Sequence, residues 1–399
     1  MTTTVFVEVT NTLTVPFVTG LQRVTRELLA RLPRTGDLAF EPVRWCTTIG
    51  AYRRLTDAEA TALATAPRPA VGSRVARRLR RAATDARDRA RRMELMALRV
   101  GAPWPDEAIW FDLEATWHNP RERGELLPEL GVAGIATAAL VADVLPELHP
   151  EWFDASMRDR FRSHLRAHLT AGSHLVCISR STEHDVLRVA RSVGAVPTTD
   201  VVMLGADFRH GTTGALPAGL DQRRYLLSVS TLEPRKNQAL LLDVFDRLRD
   251  PHPDLALVLV GKQGWHVEEL VARIRSHPDH GDRLRWLEGT DDSTLMALYR
   301  HAALCLVPSF SEGFGAPVVE GLSQGVPTIC STGGALTEVG GDRVERADPS
   351  DLDAWVRLVD RHLTDPAHHA AARAALVDYE PPTWADCAEQ VLDALRSLT

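Results

Sequence analysis

The sequence predicts an α/β protein with two Rossmann-like, doubly wound parallel-sheet domains facing each other across a cleft. Three observations predict it. Short apolar, β-rich runs alternate with amphipathic helical segments, the pattern of parallel strands joined by crossover helices. The alternation breaks over residues 208–221, where Gly211, Gly214, Pro217 and Gly219 crowd a stretch poor in apolar residues, and then restarts. At 399 residues the chain can bury two cores. The expected organisation is a first domain over 1–207, a linker over 208–221, a second domain over 222–380, and a helix over 381–399 that packs back on the first domain.

The first half begins with an alternating β-rich run over 4–9, a loop containing Gly20, and a helix over 21–32. Residues 56–100 read as helical. Within them, 74–92 carries nine arginines, with Val75, Leu79, Ala82, Ala83 and Ala86 near one face. Such a helix suits an anionic lipid surface or acceptor, or is simply a solvated face. A strand over 108–112 leads into the aromatic and polar segment 114–119, which suits ligand contact or loop packing alike. A further strand over 135–141 ends at Ala142 and Asp143, on the carboxyl edge where open sheets do chemistry. A turn or capping aspartate is the alternative there. A helix over 161–171, a strand over 174–178, a helix opened by Ser179 and a short strand over 201–204 complete this half.

The second half starts with a strand over 225–229, then a polar turn holding Arg235 and Lys236, and a helix over 239–248. A strand over 255–260 ends at Gly261 and Lys262. A helix over 267–274 and a strand over 284–287 lead to a helix over 291–301. Asp291 and Asp292 read as its N-cap and first turn rather than as a metal-binding pair. Helices over 352–363 and 384–398 close the chain.

The richest stretch is 302–330. An apolar run over 302–307 enters the turn Glu312, Gly313, Phe314, Gly315. Pro317 fits the start of a helix, Gly325 its stop, and a second strand follows over 326–330. Strand, glycine turn and helix N-terminus together aim backbone N–H groups and the positive end of a helix dipole at one spot. Arg235 and Lys236 leave an earlier strand of the same sheet and so reach the same edge. Two cations and a helix N-terminus suit a diphosphate. Glu320 suits a ribose diol and Glu312 the hydroxyls of a sugar. The constellation outlines a nucleoside-diphosphate sugar.

Composition removes other classes. The chain has 46 basic and 53 acidic residues, a net charge of −7, and so lacks the basic footprint of a nucleic-acid binder. The five cysteines form no CxxC pair and read as buried thiols of a reducing compartment. The first residues read as a strand rather than a signal peptide, and no apolar run spans a membrane. A cytoplasmic protein is expected, with peripheral membrane contact through 74–92 as an option. No P-loop, no HExxH or Cys/His metal spacing and no GxSxG elbow occurs.

Four pieces then resemble one family: Thr231 to Asn237; Val260 to Trp265; Pro308 through Glu320, with seven residues between its two glutamates; and Gly334 to Val339. They resemble the retaining GT-B glycosyltransferases of family 4. Two thinner pieces, Val18 to Val24 and Asp143 to Pro150, are similar to bacterial mannosyl- and rhamnosyltransferases of surface-polysaccharide assembly. The resemblance implies hexose transfer with retention, from a GDP-, UDP- or dTDP-sugar, to a saccharide, glycolipid or small-molecule hydroxyl. GDP-mannose is the first expectation, and no metal or other cofactor is implied. Arg235 and Lys236 would neutralise the diphosphate, Glu312 would hold the sugar, and Asp143 would face it. Gly20, Lys262, Gly313, Phe314, Gly315, Ala316 and Glu320 would bind the donor. The chain departs from many relatives at Ser230, where they carry arginine, and at Ala142, where they carry histidine. These departures keep two alternatives open: a non-catalytic nucleotide-sugar-binding subunit and a nucleotide-sugar epimerase.

Overall fold

The computed structural model describes residues 2–15, 19–65, 92–101, 104–105, 107–206 and 214–399. Two sheets organise them. The first comprises β1 (Thr3–Glu8), β2 (Leu38–Cys46), β3 (Ala51–Arg54), β4 (Arg99–Val100), β5 (Ala108–Asp112), β6 (Ala136–Val141), β7 (His174–Cys177) and β8 (Thr199–Val201), in the order β4-β3-β2-β1-β5-β6-β7-β8. The second comprises β9 (Arg224–Val229), β10 (Leu255–Val260), β11 (Leu284–Leu287), β12 (Leu304–Val307), β13 (Thr328–Ser331) and β14 (Glu345–Ala347), in the order β11-β10-β9-β12-β13-β14. Neighbours are parallel except that β3 runs antiparallel to β2 and β4.

The strand order positions the site. Each sheet grows outward in one direction from its first strand and then returns to grow the other way. The switch falls between β1 and β5 and between β9 and β12. Loops leaving the carboxyl ends of such strands splay apart and leave a crevice. The strands themselves read as continuous apolar runs because helices cover both faces, and every residue of β10 is buried.

The helix Trp384–Arg396 lies against the helix Gly20–Arg31. Its Trp384, Cys387, Val391 and Leu395 share one buried cluster with Val5, Leu28, Phe111 and Val176. All five cysteines are buried, and none is in a disulfide.

Four strands, β2, β3, β4 and β14, go beyond the sequence reading. In β2, Glu41, Pro42 and Arg44 interrupt any alternation, and β3 and β14 are short and carry charges. The expected helix over 56–100 is corrected: β3 precedes it, helices Asp57–Ala64 and Arg92–Ala97 form its described ends, and β4 follows. The stretch between them, with the arginine-rich 74–91, lies outside the described residues, as do 207–213 of the linker.

A buried ionic network ties the first sheet to its helices. Arg123 Nη2 meets Glu8 Oε2 at 2.6 Å, and its Nε meets Asp112 Oδ2 at 2.5 Å. Asp112 also accepts from Trp110 Nε1 at 2.9 Å and contacts His168 Nε2 at 3.0 Å. Tyr52 donates to Glu8 at 3.0 Å. Burial alone would raise the Asp112 carboxyl, but Arg123 and His168 hold it far below the usual carboxylate range. Such a network contributes little net stability when intact and costs much when one charge is stranded. Arg123→Met should therefore destabilise the chain by about 3–5 kcal/mol in urea denaturation. A loss near zero would show that the network is dispensable.

Candidate functional site

The loop that leaves β12 meets the loops that leave β6 and β7 of the first domain. After β9, the 3-10 turn Pro234–Lys236 presents Arg235 and Lys236. Asn237 closes that turn at φ 54° and anchors it through side-chain bonds to Pro308 O (3.3 Å) and Pro349 O (2.8 Å). After β12, residues 308–315 run into the helix Ala316–Ser323. The two loops are stitched by a bond from Phe310 N to Arg235 O at 2.8 Å.

Glu312 sits where they meet. Its Oε2 lies 2.8 Å from Arg235 Nη1, and its Oε1 lies 2.5 Å from Lys236 Nζ and 2.7 Å from Ser309 Oγ. Arg235 Nε reaches Glu233 Oε2 at 3.1 Å. Burial works to raise the Glu312 carboxyl, but Lys236, Arg235 and Ser309 outweigh it and hold it at about 2. Burial would lower the Arg235 guanidinium, yet Glu312, Glu233 and Asp143 keep it above its ordinary value. Lys236 is pulled down by burial and by Arg235, against Glu312. Two cations thus flank one carboxylate at the mouth of a helix. Among the described residues, the amides of Phe314, Gly315 and Ala316 at that mouth meet no protein acceptor.

Glycine is required at two points here. Gly315, the N-cap, has φ 95°, and a Cβ would lie 2.5 Å from Leu336 Cδ2. Gly313 passes so close to the first domain that a Cβ would overlap the carbonyl oxygen of Ala142. Its own carbonyl accepts from Ser179 Oγ at 2.7 Å and Thr182 Oγ1 at 3.1 Å. Glu338 accepts from Arg180 N (2.9 Å) and Ser181 N (3.1 Å), capping a first-domain helix, Arg180–Ser192, from the second domain. Trp265 Nε1 donates to Trp152 O at 2.6 Å. Arg23 reaches Asp292 at 3.1 Å and Glu320 at 3.9 Å.

The structure brings Glu312, Arg235, Lys236, Gly313 and Asp143 together. Asp143 Oδ1 accepts from Leu145 N at 3.1 Å, so it does cap its turn. Its carboxyl is raised by burial, with Arg235 opposing. The remaining site residues are placed as follows. Glu320 is buried, and Tyr299 OH donates to its Oε2 at 2.6 Å, so only part of its carboxylate can turn to a ligand. Gly20 is the first residue of a helix capped by Thr19 rather than part of a loop. Among the described residues nothing lies within 4 Å of a Cβ there, so none of them demands glycine. Lys262 is exposed, and its carbonyl accepts from Leu232 N at 3.0 Å. The Phe314 ring is buried in the cluster that holds Leu140 and Val176 of the first domain. Pro317 takes the second position of its helix rather than the first.

Segment 114–119 is a packed loop: Glu114 accepts from Asn11 N (2.6 Å), Thr12 N (2.7 Å) and Asn119 Nδ2 (3.0 Å). Burial and Glu8 push its carboxyl up to about 7. Asp291 caps its helix, accepting from Thr294 N at 2.9 Å. Sequence reasoning passed over Arg23, Glu233 and Glu338, although each lies inside a motif it used. Tyr299 lies in a helix with no motif of its own.

Residues 218–377 match the family described as glycosyl transferases group 1. The chain carries a glycosyl transferases group 1 domain. That group 1 domain contains all of β9 to β14 and every second-domain residue of the cluster around Glu312. The chain is 30% identical over 245 residues to the serotype-specific mannosyltransferase WbdA of Escherichia coli, covering 56% of this chain but only 30% of that protein. It is 29% identical over 263 residues to the O-antigen chain mannosyltransferase B of Escherichia coli, covering 63% and 67% respectively. The crystal structure of Anabaena Alr3699/HepE in complex with UDP and glucose matches with a TM-score of 0.62 at 14% identity, over 99% of this chain and 100% of that one. A trehalose-6-phosphate structure from E. coli bound with UDP-2-fluoro glucose matches with a TM-score of 0.59 at 14% identity over both whole chains. With its paired parallel sheets, the fold is GT-B.

A carboxylate held at about 2 instead of 4.5 contributes stability that is complete above 4.5 and is lost as pH falls through 2. The stability difference between the wild type and Glu312→Gln should therefore be constant above pH 4.5 and shrink toward pH 2. Denaturation curves at stepped pH measure it, and a difference independent of pH would refute the ion pairing.

Proposed function

We propose that the chain transfers a hexose, with retention, from a nucleoside-diphosphate sugar to an acceptor hydroxyl, without a metal ion. The observation that carries this reading is the convergence of Arg235, Lys236 and the N-terminus of the helix Ala316–Ser323 on one carboxyl edge at the switch point. The E. coli mannosyltransferases among the relatives favour mannose, so GDP-mannose is the first donor to test. UDP-glucose is the second, because HepE is crystallised with UDP and glucose.

In this mechanism the two cations divide their bonds between Glu312 and the diphosphate. Negative charge grows on the leaving phosphate as the glycosidic bond breaks, and Arg235, Lys236 and the helix dipole are already aimed at it. Glu312 stays ionised and accepts hydrogen bonds from sugar hydroxyls. Asp143 borders the sugar from the first domain. Arg23, drawn to Glu320 from across the cleft, adds a third positive group on closure. Front-face attack lets the leaving phosphate oxygen take the acceptor proton, so no second carboxylate is needed. Closure against Gly313 keeps water from the donor.

The acceptor is a saccharide, glycolipid or small molecule of polysaccharide or natural-product assembly, and the setting is cytoplasmic with optional contact to a membrane surface. Among the described residues no helix is long and apolar enough to cross a membrane.

Thermal shift with UDP, GDP, dTDP and ADP should single out one nucleotide, the stabilisation growing as the logarithm of its concentration. With the matching sugar donor, Glu312→Ala and Lys236→Ala should each lower transfer by at least about 100-fold, the scale of losing one transition-state contact. Mass spectrometry of the product measures this, and full activity in either variant would sink the assignment. Glu320→Ala and Arg23→Ala should instead raise the donor KM. Donor converted to an isomeric nucleotide sugar without an acceptor would point to an epimerase, and donor hydrolysis or transfer to any alcohol would exclude a non-catalytic subunit.

A further inference from the structure

We propose that Glu345, His362 and His368 form a divalent-cation site of the zinc class in the second domain. Glu345 is the first residue of β14 and lies at the amino edge of the sheet, opposite the cleft. His362 stands near the end of the helix Leu352–Thr364, and His368 in the first turn of the helix Pro366–Ala374. Their Nε2 atoms lie 3.2 and 2.8 Å from the same oxygen, Glu345 Oε1. The three donor atoms all fall within 4.8 Å of one another.

Those spacings suit one ion. Zinc binds imidazole nitrogen at about 2.0–2.1 Å and carboxylate oxygen at about 2.0–2.2 Å in tetrahedral geometry, which separates neighbouring ligand atoms by about 3.2–3.5 Å. The His362 ring is almost wholly enclosed, with 2% of its side chain exposed, so its direction is fixed by packing. The His369 ring meets His362 edge-on at 5.5 Å and keeps a further imidazole beside the group. Two imidazoles and a carboxylate from three separate elements form a donor set matched to this class of cation.

Charge separates this cluster from a look-alike. Asp112, His164 and His168 also converge, but the Arg123 guanidinium already lies 2.5 and 2.7 Å from Asp112. A second cation there would face the first. Among the described residues Glu345 pairs with no arginine or lysine, so its charge is available to an ion. A bound ion would clip the edge strand β14 to both helices that close the domain, and its binding energy would add to folding stability. The site is independent of the sugar-transfer reading.

The test uses the full chain, stripped with a chelator, dialysed and titrated calorimetrically with Zn²⁺. Bound metal is counted by mass spectrometry after gel filtration. About one equivalent should bind and raise the melting temperature, and Co²⁺ should give the intense visible absorption of tetrahedral coordination. Glu345→Gln and His368→Ala alter partly exposed positions, and the melting temperature of each metal-free variant checks that it folds. Each should weaken Zn²⁺ binding by more than about 100-fold, beyond the loss from altering a ligand's supporting partner. His164→Ala should leave binding unchanged. Failure of the wild type to retain metal overturns the proposal, as does equal affinity in Glu345→Gln and His368→Ala.

Discussion

The ion cluster of Glu312 with Arg235 and Lys236 is the constraint on which the cleft depends. It fixes the two loops that leave β9 and β12, and with them the angle at which the helix Ala316–Ser323 presents its amides. The cluster does not carry surplus positive charge. Glu312, Glu233 and Asp143 surround the same two cations. A diphosphate would therefore be recognised less by a general field than by bonds that the cations redirect on its arrival, together with the backbone groups of the glycine turn. Preorganisation of this kind lowers the cost of rearranging the site during reaction.

Closure is written into the backbone as well as the side chains. Gly313 lies against the Ala142 carbonyl, its own carbonyl accepts two first-domain hydroxyls, and Glu338 supplies the cap of a first-domain helix. These bonds pair main-chain groups with side chains of the opposite domain, on loops that leave β7, β12 and β13. The glycine turn after β12 thus makes the domain contact beside the Glu312 cluster, and the proposed donor site would share that backbone.

How much was legible follows from how local each feature is. The stretch 302–330 and the Arg235–Lys236 turn were readable because strand, glycine, helix start and charges stand next to one another in the chain. Strands β2, β3 and β14 were not, because their polar residues conceal the period that marks a strand. The Arg123 network joins residues up to 115 positions apart, and no local pattern signals it. Glu345 and His362 stand 17 positions apart on different elements, so spacing rules for metal ligands do not detect them. Glu320 was placed on the correct helix, but its bond to Tyr299 is a tertiary fact.

The helix Trp384–Arg396 has a consequence for how the protein is made. Its buried face fills the core built on β1 and the helix Gly20–Arg31, some 360 residues earlier in the chain. On the ribosome, the group 1 domain has all its strands available well before that helix emerges, whereas the first domain waits with an open apolar face. The half synthesised first is thus completed last. Until then the apolar face of the helix Gly20–Arg31 lacks that cover, and uncovered apolar surface of this kind makes folding intermediates prone to aggregate.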